Sequence, residues 1–152
     1  MPDARCGAIS RGEVIERAES WLRPSVRHSH TRYHHNEYGI YRTDCSGYVS
    51  MAWGLPGIPP DRRGGLDAVG LAGVSTPVAK SDLLAGDALL CVGDADHPPH
   101  ITVFHEWADG ARTSYWGFEQ TVSAGTLHHV VAYPGGSAAD PLVQPRRYSG
   151  IT

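Results

Sequence analysis

From Ser81 to Tyr133 the chain alternates short apolar runs with turn residues, and this alternation most restricts the fold. Ser81–Asp87 reads as a turn, Ala88–Val92 as an apolar strand and Asp94–Pro99 as a loop. His100–Trp107 reads as a second strand, and Asp109-Gly110 behind it is a strong hairpin signal. Arg112–Thr121 returns as a third strand. Leu127–Tyr133 makes a fourth, ended by Pro134. Consecutive strands joined by short turns predict an antiparallel meander.

The segments before the meander are helical. Ser10 followed by Glu13 has the capping-box pattern, and Val14, Ile15, Ala18, Trp21 and Leu22 recur at helical spacing until Pro24. Asp44–Trp53 predicts a second, short helix capped by Asp44 and ended by Gly54. Residues 25–43 read as a polar loop rich in His and Tyr. Residues 55–78 read as an irregular excursion with a helical piece at 66–71. The tail 135–152 reads as extended surface chain. Helices followed by strands predict an α+β domain, with N-terminal helices packed on a central antiparallel β-sheet. A chain of 152 residues suits one domain. The expected division is an N-terminal segment 1–9, a domain 10–133 and a C-terminal tail 134–152.

Charge narrows the function classes. Thirteen Lys and Arg against sixteen Asp and Glu give a formal charge of −3. This argues against a nucleic-acid partner on bulk electrostatics. Met1–Ile9 has no apolar signal core, and no run reaches transmembrane length.

Three cysteines, Cys6, Cys45 and Cys91, are too few for a disulfide scaffold. Cys91 lies in an apolar strand and reads as core. Cys6 has no assigned role. Cys45 falls in the first turn of the second predicted helix, where free N–H donors and the helix dipole favour an anionic sulfur. Gly47 is expected to leave space above this thiol for substrate, and the Cys45 N–H to help hold an oxyanion. The competing reading is a buried cysteine that merely precedes a helix.

A nucleophilic thiol needs a base and a group that orients the base. A two-residue turn at Asp109-Gly110 sets His100 opposite Glu119, on one face of the hairpin. A one-residue bulge would present Gln120 instead, so both stay open. The histidines at 28, 30, 34, 35, 97 and 100 invite a metal reading, but their spacing is not diagnostic and no His-Glu-x-x-His is present. No metal and no other cofactor is expected.

These residues resemble the NlpC/P60 superfamily of papain-like cysteine peptidases and amidases. Asp44-Cys45-Ser46-Gly47-Tyr48-Val49 resembles its nucleophile motif, and Leu83-Leu84-Ala85-Gly86-Asp87 the element before a core strand. His100-Ile101-Thr102-Val103-Phe104 resembles its histidine strand. Tyr41–Trp53 together with Tyr115–Gln120 is similar to an actinobacterial branch. The resemblance spans about residues 10–133. It implies a papain-like fold with Cys45 as nucleophile and His100 as general base. It also implies a third polar residue on the next strand, here Glu119 before Gln120, and an aromatic residue bordering the site, Tyr33 before Tyr41. It implies hydrolysis of an amide in bacterial cell-wall peptides (peptidoglycan) through a thioester, and a secreted or envelope location. Glu119 departs from the His, Asn or Gln common at the third position. Two alternatives stand beside this: a noncatalytic wall-binding domain on the same fold, and an amidase or acyltransferase for another substrate.

Overall fold

A computed structural model describes residues 8–133 and 143–152. Helix α1 (Arg11–Glu19) starts where Ser10 accepts the Glu13 N–H at 3.1 Å, and it buries Val14 and Ala18. It ends at Ser20, whose hydroxyl donates to the Arg17 carbonyl, one turn before Pro24.

The stretch read as a polar loop contains a hairpin instead, β1 (Tyr33–Asn36) and β2 (Gly39–Arg42). The Asn36 side chain accepts the Tyr38 N–H, and Gly39 has φ 126°, which a side chain would resist. The turn chemistry was present, but the flanking residues are polar and lack the apolar alternation that marks a strand.

Helix α2 (Cys45–Ala52) follows at once, its N-terminus capped by Asp44, which accepts the Gly47 N–H at 2.8 Å. Every residue after Cys45 is buried, so this is a core helix with no solvent face. Tyr48 donates its hydroxyl to the Ala18 carbonyl, and Trp53 its indole N–H to the Gly86 carbonyl. Both bonds satisfy polar atoms that burial would otherwise penalise. Helix α3 (Ala68–Gly73) begins two residues later than the helical piece expected at 66–71.

The main sheet has six antiparallel strands. These are β3 (Ser75–Pro77), β4 (Ala88–Cys91), β5 (His100–Trp107), β6 (Ser114–Thr121), β7 (Gly125–Ala132) and β8 (Gln144–Tyr148), in the order β3-β8-β4-β5-β6-β7. Residues 144–148 are therefore not surface chain: β8 lies inside the sheet, between β3 and β4. Gln-Pro-Arg-Arg-Tyr carries no apolar alternation, and its pairing is wholly long-range. Its arginines are matched by distant acceptors. Arg147 and Arg11 both bind the Asp87 carboxylate, which is completely buried, and Arg146 bonds Ser75 and the Ala72 carbonyl. Pro134 and residues 135–142 lie outside the described residues, as does Cys6.

Helices α1 and α2 cover one face of the sheet, burying Val14, Trp21, Val49 and Met51 with Leu90, Ile101, Val103 and Phe118. The opposite face carries a smaller cluster of Leu83, Leu89, Phe104 and Tyr115. The architecture is α+β, as expected. No helix among the described residues is long and apolar enough to cross a membrane.

The β5–β6 connection differs from the expected two-residue turn. Trp107 pairs with Tyr115, and Ala108 donates to the Ser114 carbonyl. The Asp109 carboxylate accepts the N–H groups of Thr113 and Ser114, which closes a longer loop, and Arg112 adopts φ 60° within it. Asp109 acts as the acceptor that organises this loop, so Asp109-Gly110 is not a type I′ corner. Beyond a bulge between Phe104 and Glu106 the register steps by one, and Val103 pairs with Phe118.

Candidate active site

Cys45 is the first residue of α2 and is half-buried at the rim of a cleft of about 570 Å³. Its Sγ lies 3.9 Å from the Pro99 carbonyl oxygen, on the loop that delivers His100. The N-terminus of a core helix cannot shift without dragging the core, so the thiol is rigidly placed. Among the described residues, the N–H groups of Cys45 and Ser46 have no hydrogen-bond partner, whereas the Gly47 and Tyr48 N–H groups bond to Asp44. Free first-turn donors are what a developing oxyanion requires.

His100 opens β5 and lines the same cleft. Its Nε2 lies 2.6 Å from Glu119 Oε1. The second oxygen, Glu119 Oε2, contacts His129 Nε2 on β7. The His100 pKa is pushed up to about 10, first by hydrogen bonding to Cys45 and next by Glu119, with burial opposing both. Burial also opposes ionisation of Glu119, but hydrogen bonds from His100 and His129 outweigh it and hold the carboxyl below its usual range. The result is a line of four side chains, Cys45, His100, Glu119 and His129, carried by α2 and three successive strands.

Arg42 fixes the approach to this line. Its Nε lies 2.6 Å from Asp44 Oδ2, its Nη2 donates to Ser46 Oγ, and it reaches carbonyls at 63, 65 and 66. Burial raises the Asp44 carboxyl, but the Arg42 hydrogen bond and the Gly47 N–H hold it down as a carboxylate. One guanidinium thus ties β2, the cap of α2 and the 63–66 loop together around Cys45.

Several expected residues have other positions or other partners. Gly47 does not clear space for a substrate. A Cβ there would sit 2.0 Å from the Arg42 carbonyl oxygen, so the glycine serves close packing of α2 on β2. Gln120 does not hold His100. It lies in the wall of the Cys45 cleft, buried, with Nε2 donating to the Val26 carbonyl and to Thr126 Oγ1. Tyr33 is not among the residues lining the Cys45 cleft and lines a neighbouring cavity, while Tyr41 is buried with its hydroxyl donating to the Leu55 carbonyl. Cys91 is a buried free thiol on β4. Among the described residues no three His, Cys, Asp or Glu side chains are grouped to hold a metal ion.

His129 and Arg42 were missed by sequence reasoning. For His129 a usable signal existed. In the β6–β7 pairing His129 faces Gly117, so it shares a face with Glu119 two residues on. Neither protein-family models nor curated proteins match this chain.

Proposed function

We propose that this protein is a cysteine-dependent amide hydrolase of the papain-like NlpC/P60 kind, acting on peptides of the bacterial cell wall. One observation carries the reading: a helix-start thiol and a carboxylate-bound imidazole face each other across one cleft, with the imidazole favoured as imidazolium.

The chemistry follows from the geometry. Nε2 of His100 is held by Glu119, which leaves Nδ1 for the thiol. His100 takes the Sγ proton, and the sulfur attacks the amide carbonyl carbon. The oxyanion draws on the free N–H groups at the start of α2. As the C–N bond breaks, His100 returns its proton to the leaving amine. Water, deprotonated by His100, then attacks the thioester, and Cys45 leaves as the free acid is released. Glu119 keeps the ring oriented and offsets its positive charge, and His129 holds the far oxygen of Glu119.

Mass-resolved digestion of defined cell-wall peptides tests this. Wild-type protein is expected to release a product and Cys45→Ala protein none. Equal product from both, or none from wild type, rejects the reading.

A further inference from the structure

Among the described residues two buried side-chain atoms lack a hydrogen-bond partner, Trp21 Nε1 and Gln120 Oε1, and of the two only Gln120 lines the Cys45 cleft. Its side chain is 1% exposed, and its orientation is fixed by its neighbours. Nε2 donates to the Val26 carbonyl at 3.1 Å and to Thr126 Oγ1 at 2.9 Å. The Thr126 hydroxyl in turn donates to the Val26 carbonyl, so its hydrogen is committed. Turning the amide over would set Oε1 against two acceptors. Thr126 is the partner of Gln120 across the β6–β7 ladder, which draws Nε2 toward β7. Oε1, on the same planar carbon, points the other way, toward β5 and the start of α2. A buried acceptor without a donor carries the full cost of its lost hydration. Other acceptors around the cleft already hold donors: Asp44 those of Arg42 and Gly47, Asp67 that of Gly70, Thr121 that of Ala124.

We propose that Gln120 Oε1 is a substrate-binding acceptor: it takes the N–H of the amide whose carbonyl meets Cys45, and so selects bonds that carry this hydrogen. The inference rests on the hydrolase reading and deepens it by naming the substrate class, amides of primary amines over esters and over amides of secondary amines. The cleft offers the complement of one such amide. The unpaired Cys45 and Ser46 N–H groups suit its carbonyl, and the unpaired Gln120 oxygen suits its N–H. In a trans amide these two groups point in opposite directions, and here α2 supplies the donors and β6 the acceptor. An ester sets an oxygen lone pair where the N–H would be, and a methylated nitrogen sets a carbon there. Either leaves Oε1 unpaired, and a site built to hydrogen-bond a group discriminates strongly against an analogue that lacks it.

The test uses three probes that differ only at the link: a D-γ-glutamyl dipeptide, its ester isostere and its N-methyl amide. Binding is measured by calorimetry on Cys45→Ala protein, which turns none of them over. The amide is expected to bind on the order of 10- to 100-fold tighter than the other two. Adding Gln120→Met, which keeps the length of the side chain and removes the amide oxygen, should bring the ratios near one, chiefly by weakening the amide. Thr126→Val loosens the same side chain but leaves Oε1 in place, and should keep most of the preference. A melting curve reports whether Gln120→Met protein folds. If it does not, the three affinities on Cys45→Ala protein and on its Thr126→Val version still decide. Equal binding of amide and ester, or binding of none, overturns the role of Gln120. So does a preference that survives Gln120→Met, the result expected if Oε1 is satisfied by a buried water. Cleavage by wild-type protein is scored separately. Cleavage of amide and ester alike, without selective binding, keeps the hydrolase and rejects the role of Gln120, and selective binding without cleavage does the reverse.

Discussion

Glu119 and His100 meet at 2.6 Å although they are not opposite each other in the sheet. Carried on from the Val103–Phe118 pair, the register sets Thr121 opposite His100, and Glu119 reaches it diagonally. Two departures from a simple hairpin combine to make this possible. The longer Asp109 loop displaces the register by three residues at Trp107, which would turn Glu119 to the wrong face. The bulge between Phe104 and Glu106 takes one residue back, and an even displacement restores the face. Gln120 is sent to the core side, where it is buried.

Glu119→Gln keeps the shape of the contact and removes its charge. Without the carboxylate the His100 pKa is expected to fall from about 10 toward its ordinary value. In the proposed hydrolysis an imidazolium protonates the leaving amine, so the alkaline limb of kcat/KM should move to lower pH. The rate at neutral pH should drop on the order of 10- to 100-fold. A pH–rate series on a cleaved peptide checks both.

His129 acts through Glu119 and never touches the thiol. Replacing it with Leu is expected to slow alkylation of Cys45 by iodoacetamide at neutral pH and to shift its pH profile. His129→Gln, which can still donate to Glu119, should recover most of the wild-type profile. A loss of roughly three- to tenfold is expected for Leu, a fraction of a charged hydrogen bond. Identical profiles for Leu and wild type would leave His129 without a positioning role.

The raised His100 pKa also sets a pH dependence of folding. In the unfolded chain the ring titrates near 6.5, and in the folded chain near 10. Between these values the folded state binds the extra proton, so its stabilising effect is complete below the lower value and is lost as pH rises toward the upper. Urea midpoints of wild type and His100→Asn should differ most near ~pH 6 and converge near ~pH 10.

Gly47→Ala tests close packing against substrate space. The added Cβ meets the Arg42 carbonyl, so α2 must move off β2. A destabilisation of roughly 3 kcal/mol is expected, read as a lower Tm, whether or not a ligand is present.

Arg147→Ala tests the inserted strand. It strips one of two guanidinium partners from the buried Asp87 carboxylate, and Arg11 remains. A loss of roughly 2–3 kcal/mol is expected by chemical denaturation. A change within ~0.5 kcal/mol would mean that β8 contributes little to the sheet.

The local code of this chain determined its helices, the strand run from Ala88 to Ala132, the Asp44 cap and the helix-start position of Cys45. Each depends on neighbours a few residues apart: periodicity, a capping side chain, a glycine or proline. The choice of Glu119 over Gln120 was also legible, but the register behind it came out differently. The two-residue turn predicted direct opposition, whereas the longer loop and the bulge reach the same face by another route. Residues 144–148 joined the sheet through pairings and ion pairs spanning the length of the chain, which no local pattern records. The same holds for Arg42 around Cys45 and for Tyr33 in a separate cavity. Tertiary structure decided these because a side chain's partner depends on register, twist and the closure of distant segments, and a change of one residue in any of them reverses a face.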